Sequence, residues 1–183
     1  MEEWSSKQKI SAKHKSLADI YCDLLPKPPC RYSSAPKQES DILCFLKQYA
    51  SSLNLKNLFF KQYTYTARNF TGVSKDYALF LKTKRLFLKF MACKHLEECR
   101  KLNLTDTEIK QMHAGIIPEN INIHLKVPFD FGGQCSFENM ALIRTHPHHL
   151  YLHRLIEYQF EQGLLKKEKK LFIPCFEGYA YYG

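Results

Sequence analysis

Cys-x-x-Cys pairs, an apolar run near the first residues and any membrane-length apolar stretch are all missing from this sequence, and each absence weighs against a class of protein. None of the seven cysteines sits in a Cys-x-x-Cys pair, and their number is odd. Both a disulfide framework and a zinc knuckle are therefore disfavoured. Reduced thiols in a cytosolic setting are expected instead, with Cys22, Cys44 and Cys93 as core residues. No apolar stretch follows the opening MEEWSSKQK, and no window reaches spanning length. A transmembrane segment is thus not expected, and the chain is placed in the cytoplasm or leaves for a target cell by a route that needs no cleaved signal peptide. Neither an internal repeat nor a second full domain is visible. Acid is also scarce, with 18 Asp and Glu against 27 Lys and Arg and a formal net charge of +9. Such a balance implies an anionic partner, either nucleic acid or an acidic membrane face.

The residues that are present divide the chain in two. Residues 1–39 are lysine-rich at the start, with Trp4 the lone tryptophan. They offer a short helix over Ser16 to Leu25 and then a connector broken by Pro26, Pro28, Pro29 and Pro36. Residues 40–183 are expected to form one compact domain. Ser40 and Asp41 open a helix that should end near Asn54, because Leu46, Tyr49, Ala50 and Leu53 recur at helical spacing. Leu58 to Thr66 is rich in aromatic and branched residues and reads as a strand, with a turn over Asn69 to Gly72.

Ser74 to Leu102 reads as the longest helix, broken near Cys93, with Tyr77, Phe80, Leu81, Leu88 and Met91 on its buried faces. Lys75, Lys82, Arg85 and Lys89 share a stripe along it, which is a candidate contact for a nucleic-acid backbone and equally the ordinary solvated side of an amphipathic helix. Thr105-Asp-Thr-Glu108 is a capping box that starts a helix, and Gly115 stops it. The tail LFIPCFEGYAYYG has a single charge, Glu177. It leaves three roles open: an added strand, a packing layer or a recognition signal.

The chemistry concentrates between Ile121 and Gln159. Asn122 to Phe129 alternates, with Ile121, Ile123, Leu125 and Val127 on one side and Asn122, His124 and Lys126 on the other, as a half-buried strand does. Pro128 ends the ladder for want of an N–H, and Gly132-Gly133 makes a turn. Phe137 to Arg144 reads as a returning strand, and Pro147 opens a helix to about Gln162. On that helix His149 and His153 are four apart and share a face. With His124 aimed from the strand, three imidazoles could close on one cation and leave positions for water or phosphate.

The order of these residues resembles the HNH, or ββα-metal, nucleases, and especially the DNase domains of colicins. In those the pattern runs His-His-x-x-Pro, a Gly-Gly turn, an Asn at the start of the second strand, then His-x-x-x-His on the helix. His124, Pro128, Gly132, Gly133, Asn139, His149 and His153 match it in order. The resemblance implies a mixed α+β fold, with a mainly helical first two-thirds packed on a C-terminal ββα-metal unit at 121–162. It implies metal ligation by His124, His149 and His153, a loop-tying role for Asn139, and hydrolysis of DNA before RNA. One divalent ion (Zn, Mg, Mn or Ni) is expected, with Lys126, Arg144 and Arg154 assisting at phosphate. A toxin or effector role, with an immunity or host protein as partner, also follows from the resemblance. The second histidine of the family's pair, the general base, falls here on Leu125, which cannot accept a proton. Either His148 or His146 substitutes in catalysis, or the metal-bound water reacts unaided, or the unit is a degenerate module that binds without cutting.

Overall fold

A computed structural model describes residues 39–65, 70–161 and 170–183. The expected helix at Ser16 to Leu25, the proline-rich connector, Cys22 and Gly163 lie outside the described residues. The fold is mixed α+β. In chain order it comprises α1 (Glu39–Ser52), β1 (Phe59–Thr64), α2 (Phe70–Lys94), α3 (Leu96–Lys101), α4 (Asp106–His113), β2 (Ile121–Leu125), β3 (Met140–Arg144), α5 (Leu150–Glu161), β4 (Lys170–Cys175) and β5 (Ala180–Tyr181). No described helix is long and apolar enough to cross a membrane.

A three-stranded sheet in the order β2-β3-β5 forms the centre. Strands β2 and β3 are antiparallel, and β3 and β5 are parallel. Both faces of β3 are covered, so Met140, Ala141, Leu142 and Ile143 are all fully buried. Met140 and Leu142 join Phe87, Leu88 and Met91 of α2 and Met112 of α4 in one core. Ala141 and Ile143 join Phe45 and Tyr49 of α1 and Leu155 and Tyr158 of α5 in the other. The Phe45 and Tyr158 rings stack at 4.6 Å and fasten α1 to α5. The tail of the chain supplies two strands: β4 pairs with β1, which lies far earlier in the sequence, and β5 completes the central sheet. Gln159, fully buried on α5, donates to the Phe172 carbonyl (2.8 Å) and accepts from the Phe172 N–H (2.8 Å), so a side chain stands in for a strand edge.

Several expectations are corrected. Helix α2 begins at Phe70 and takes in Gly72, where a turn was expected, while the break expected near Cys93 is present at His95. Tyr77 and Leu81 are exposed, not buried. Cys44 and Cys93 are exposed too, while Cys99 and Cys175 are the buried thiols among the described residues. Strand β2 stops at Leu125 because the next amides are taken by one residue: Asn139 accepts from Lys126 N–H through its carbonyl (2.9 Å) and from Val127 N–H through its side chain (2.8 Å). Strand β3 starts late for the same reason, after a 3-10 turn over Phe137–Asn139. Helix α5 starts at Leu150, preceded by a wide irregular turn over Thr145–His149. Its His146 is extended, as a residue before proline prefers. The capping box does form, with Thr105 Oγ1 accepting from Glu108 N–H and Glu108 accepting from Thr105 N–H (2.7 Å). Those bonds hold the Glu108 carboxyl below its ordinary pKa.

The loop between β2 and β3 makes separable demands on its two glycines. Gly132 has φ +82° with open space around it, whereas a Cβ on Gly133 would sit 1.8 Å from the Val127 carbonyl oxygen. Gly132→Ala is therefore expected to cost about 1–2 kcal/mol, the price of a left-handed L-residue. Gly133→Ala should cost more, because the backbone must move. Urea unfolding of the two variants checks this, and equal destabilisation would contradict the close approach at Gly133.

Candidate metal centre

Three elements deliver the site. Residues His124 and Ala141 face each other across β2 and β3, and α5 packs over the face they share. Alternation puts His124 on that face, where it is 4% exposed. His149, in the last position of the irregular turn, and His153, one helical turn on, bring their rings against it. Ring centroids lie 5.4 Å apart for His124 and His149, 5.6 Å for His124 and His153, and 4.5 Å for His149 and His153. One nitrogen from each ring lies within 4.8 Å of the other two. The Nε2 atoms of His149 and His153 are 3.1 Å apart, and which of them donates depends on the tautomer. Tetrahedral zinc with bonds of 2.0–2.1 Å holds its nitrogens about 3.3 Å apart, so this pair already has ligand spacing. Among the described residues no other group of His, Cys, Asp or Glu meets that criterion.

The imidazoles are kept in the ligating form. Burial, then the neighbouring His153 and His149, hold His124 well below the ordinary histidine pKa of 6.5. Burial, then His153 and His146, push His149 down to about 4. His153 is also lowered by burial, against an opposing pull from Glu157. His153 is exposed overall, with its Nε2 against His149. Asn122 Nδ2 lies 3.4 Å from His149 Nδ1, on the ring edge opposite the cluster. A contact at that position orients a ligand ring.

A cavity of about 310 Å³ opens over the imidazoles, with Ile123, Leu125, Pro128 and Asp130 among its walls. The pattern Lys126 N–H to Asn139 O and Thr145 N–H to Asn120 O assigns the even-numbered residues of β2 to the bonds with β3. Strand β2 lies at the sheet edge, so Leu125 turns its amide outward on the cavity side. The loop beneath is tied as expected for Asn139, whose amide also donates to the carbonyls of Val127 and Gln134 (both 2.9 Å).

Other expected residues are placed elsewhere. His148 turns away: its ring meets Tyr181 edge-on at 5.7 Å, beside Gly183, and its Nδ1 is buried with no hydrogen-bond partner among the described residues. It is not positioned to serve as the base. His146 is exposed in the preceding turn and does not line the cavity. Arg144 donates to the carbonyls of Leu102 and Asn103, closing the end of α3, so it is not at hand for a phosphate in the cavity. Lys126 is half-buried over the rings of Phe176 (5.9 Å) and Tyr179 (5.6 Å), and burial lowers its pKa. Arg154 lies 3.9 Å from Glu157. Lys82, Arg85 and Lys89 are exposed and, with Lys84, line an open groove beside α2; the Lys75 side chain lies outside the described part. Asp130 escaped the reading of the sequence, because it belongs to no motif and only the fold of the loop brings it to the cavity.

No protein-family model and no solved structure matches this chain. A stretch of 92 residues, 50% of the chain, is 32% identical to an uncharacterized protein of Escherichia coli K12, YhhZ. The matched stretch spans 23% of that protein.

The pKa directions fix how cation binding should respond to pH. Free imidazoles would lose a metal to protons near pH 6.5. Here the rings resist protonation, so the Co²⁺ affinity is expected to hold down to about pH 6 and to fall towards pH 4, where His149 titrates. Stability without metal should fall over the same window, since the unfolded chain takes up protons at about pH 6.5 that the folded one refuses. Absorption titrations with Co²⁺ and urea unfolding across pH check both; an affinity midpoint at pH 6.5 would mean the rings are solvated and independent.

Proposed function

We propose that this chain is a divalent-metal-dependent phosphodiesterase of the HNH-like, ββα-metal kind, acting on nucleic acid, DNA before RNA. One observation carries the reading: three imidazoles, from a strand and from a helix with its leading turn, converge at one side of a cavity. Three nitrogens favour Zn²⁺ or Ni²⁺, and phosphate oxygens added to them would also suit Mg²⁺ or Mn²⁺. Bound by His124, His149 and His153, such an ion would stabilise charge on the scissile phosphate and the leaving oxygen.

The chain's own groups supply the rest. The outward amide of Leu125 is a donor for a phosphate oxygen. The Asn139 and Gly133 clamp keeps the cavity wall in place. Lys82, Lys84, Arg85 and Lys89 give a cationic groove for the nucleic-acid backbone outside the cavity. A toxin or effector setting, with an immunity or host protein as partner, belongs to the same proposal. A second reading, a module that binds nucleic acid or a partner protein without cutting, is favoured by one observation: the cavity wall at position 125 is leucine.

Plasmid digestion with Mg²⁺, Mn²⁺, Zn²⁺ and Ni²⁺ separates the two. Cleavage is expected with at least one ion, reduced by about 10²-fold or more in His124→Ala and in His149→Ala, the scale of losing a charge-stabilising group. Cleavage that survives both changes would place the activity elsewhere. Retained DNA binding with no cleavage under any ion would favour the binding module.

A further inference from the structure

The cavity over the imidazoles is walled mostly by carbon. Phe80, Leu125, Pro128 and Phe129 contribute no group that can take a proton, and His124, His149 and His153 are committed as ligands. Among the residues that line the cavity, one more carries an acid-base group, Asp130. It stays outside the tight cluster of ligand atoms, which among the described residues contains the three histidines alone. A carboxylate on the wall but off the cluster is placed to meet a water or a phosphate in the cavity rather than the ion itself.

Its carrier is rigid. Asp130 is the middle residue of a single 3-10 turn, Phe129–Phe131. Phe131 is buried on one side of it, and the Phe129 ring meets Phe80 edge-on at 6.4 Å on the other. Both following amides close the turn, Gly132 N–H onto the Phe129 carbonyl (3.0 Å) and Gly133 N–H onto the Pro128 carbonyl (3.1 Å). Asp130 itself is exposed, so water reaches it from outside. A base held on a turn with so little slack keeps its geometry through turnover.

We infer that Asp130 is the general base of the phosphodiesterase, doing what Leu125 cannot; the inference rests on the function proposed above. A lone pair of the attacking water forms the new bond to phosphorus while its proton passes to an Asp130 oxygen. The bond from phosphorus to the leaving sugar oxygen breaks, its electron pair goes to that oxygen, and solvent protonates it. Asp130 then returns its proton to solvent, and no oxidant or reductant is involved.

Asp130→Asn keeps shape and removes the basic oxygen. Its cleavage rate is expected to fall about 10²- to 10⁴-fold, the usual share of a general base. Co²⁺ affinity, by absorption titration, and affinity for a metal-free DNA duplex, by fluorescence anisotropy, should not weaken. Adding Leu125→His to Asp130→Asn should restore cleavage by about tenfold or more, because an imidazole then returns to the wall. Parental cleavage in Asp130→Asn overturns the inference, and so does a loss of Co²⁺ affinity parallel to the loss of rate, which would make Asp130 a ligand. Cleavage absent from the unsubstituted protein itself defeats the proposed function first and this inference with it, an outcome told apart without any Asp130 variant.

Discussion

The pairing of His124 with Ala141 is the constraint on which the site depends. Side chains alternate along a strand, so a slip of one residue in β2 would turn His124 to the opposite core and bring Ile123 or Leu125 round in its place. The residue across from the histidine is small, and a methyl group there leaves the room that α5 needs to lay His149 and His153 over it. Register is held at both ends. Thr145 N–H reaches the Asn120 carbonyl (2.8 Å) at one end, and the Asn139 clamp takes Lys126 and Val127 at the other.

Burial of the rings then follows from packing outside the motif. Helix α5 is pressed onto the sheet by α1 through Tyr158, and it is pinned to β4 by Gln159, whose amide satisfies both backbone groups of Phe172. A buried amide that is fully paired costs little and fixes a unique position, whereas an apolar residue there would strand two backbone groups. The last strand, β5, finishes the sheet, and the Tyr181 hydroxyl donates to the Lys56 carbonyl (2.8 Å), tying the tail to the connection between α1 and β1. The burial that lowers the pKa of the imidazoles is thus a property of the whole body, not of β2, β3 and α5 alone.

Much of this was legible in the chain itself, for identifiable reasons. Strand β2 announces itself because it lies at an edge with its two sides in different surroundings, which preserves alternation; β3 does not alternate, because helices cover both its faces. The capping box, the two glycines and Asn139 are local devices whose chemistry depends on few neighbours. What stayed hidden is set by distant contacts. Cys44, Cys93, Tyr77 and Leu81 fit a buried helical face by type, yet no described element covers them. His148 is next to His149 in sequence but one step round the turn, so it looks towards Tyr181 instead. Gln159 and Asp130 gain their roles only when α5 meets β4 and when the loop folds over β2, and no spacing rule marks either.

X-ray absorption at the metal edge of the Zn²⁺- or Co²⁺-loaded protein addresses the central claim without relying on activity. Three imidazole nitrogens at about 2.0 Å are expected, with one lost in His124→Ala and the remainder of the shell filled by oxygen. A shell with fewer than three imidazoles, or one that does not change on His124→Ala, would show that the strand and the helix do not grip one ion together.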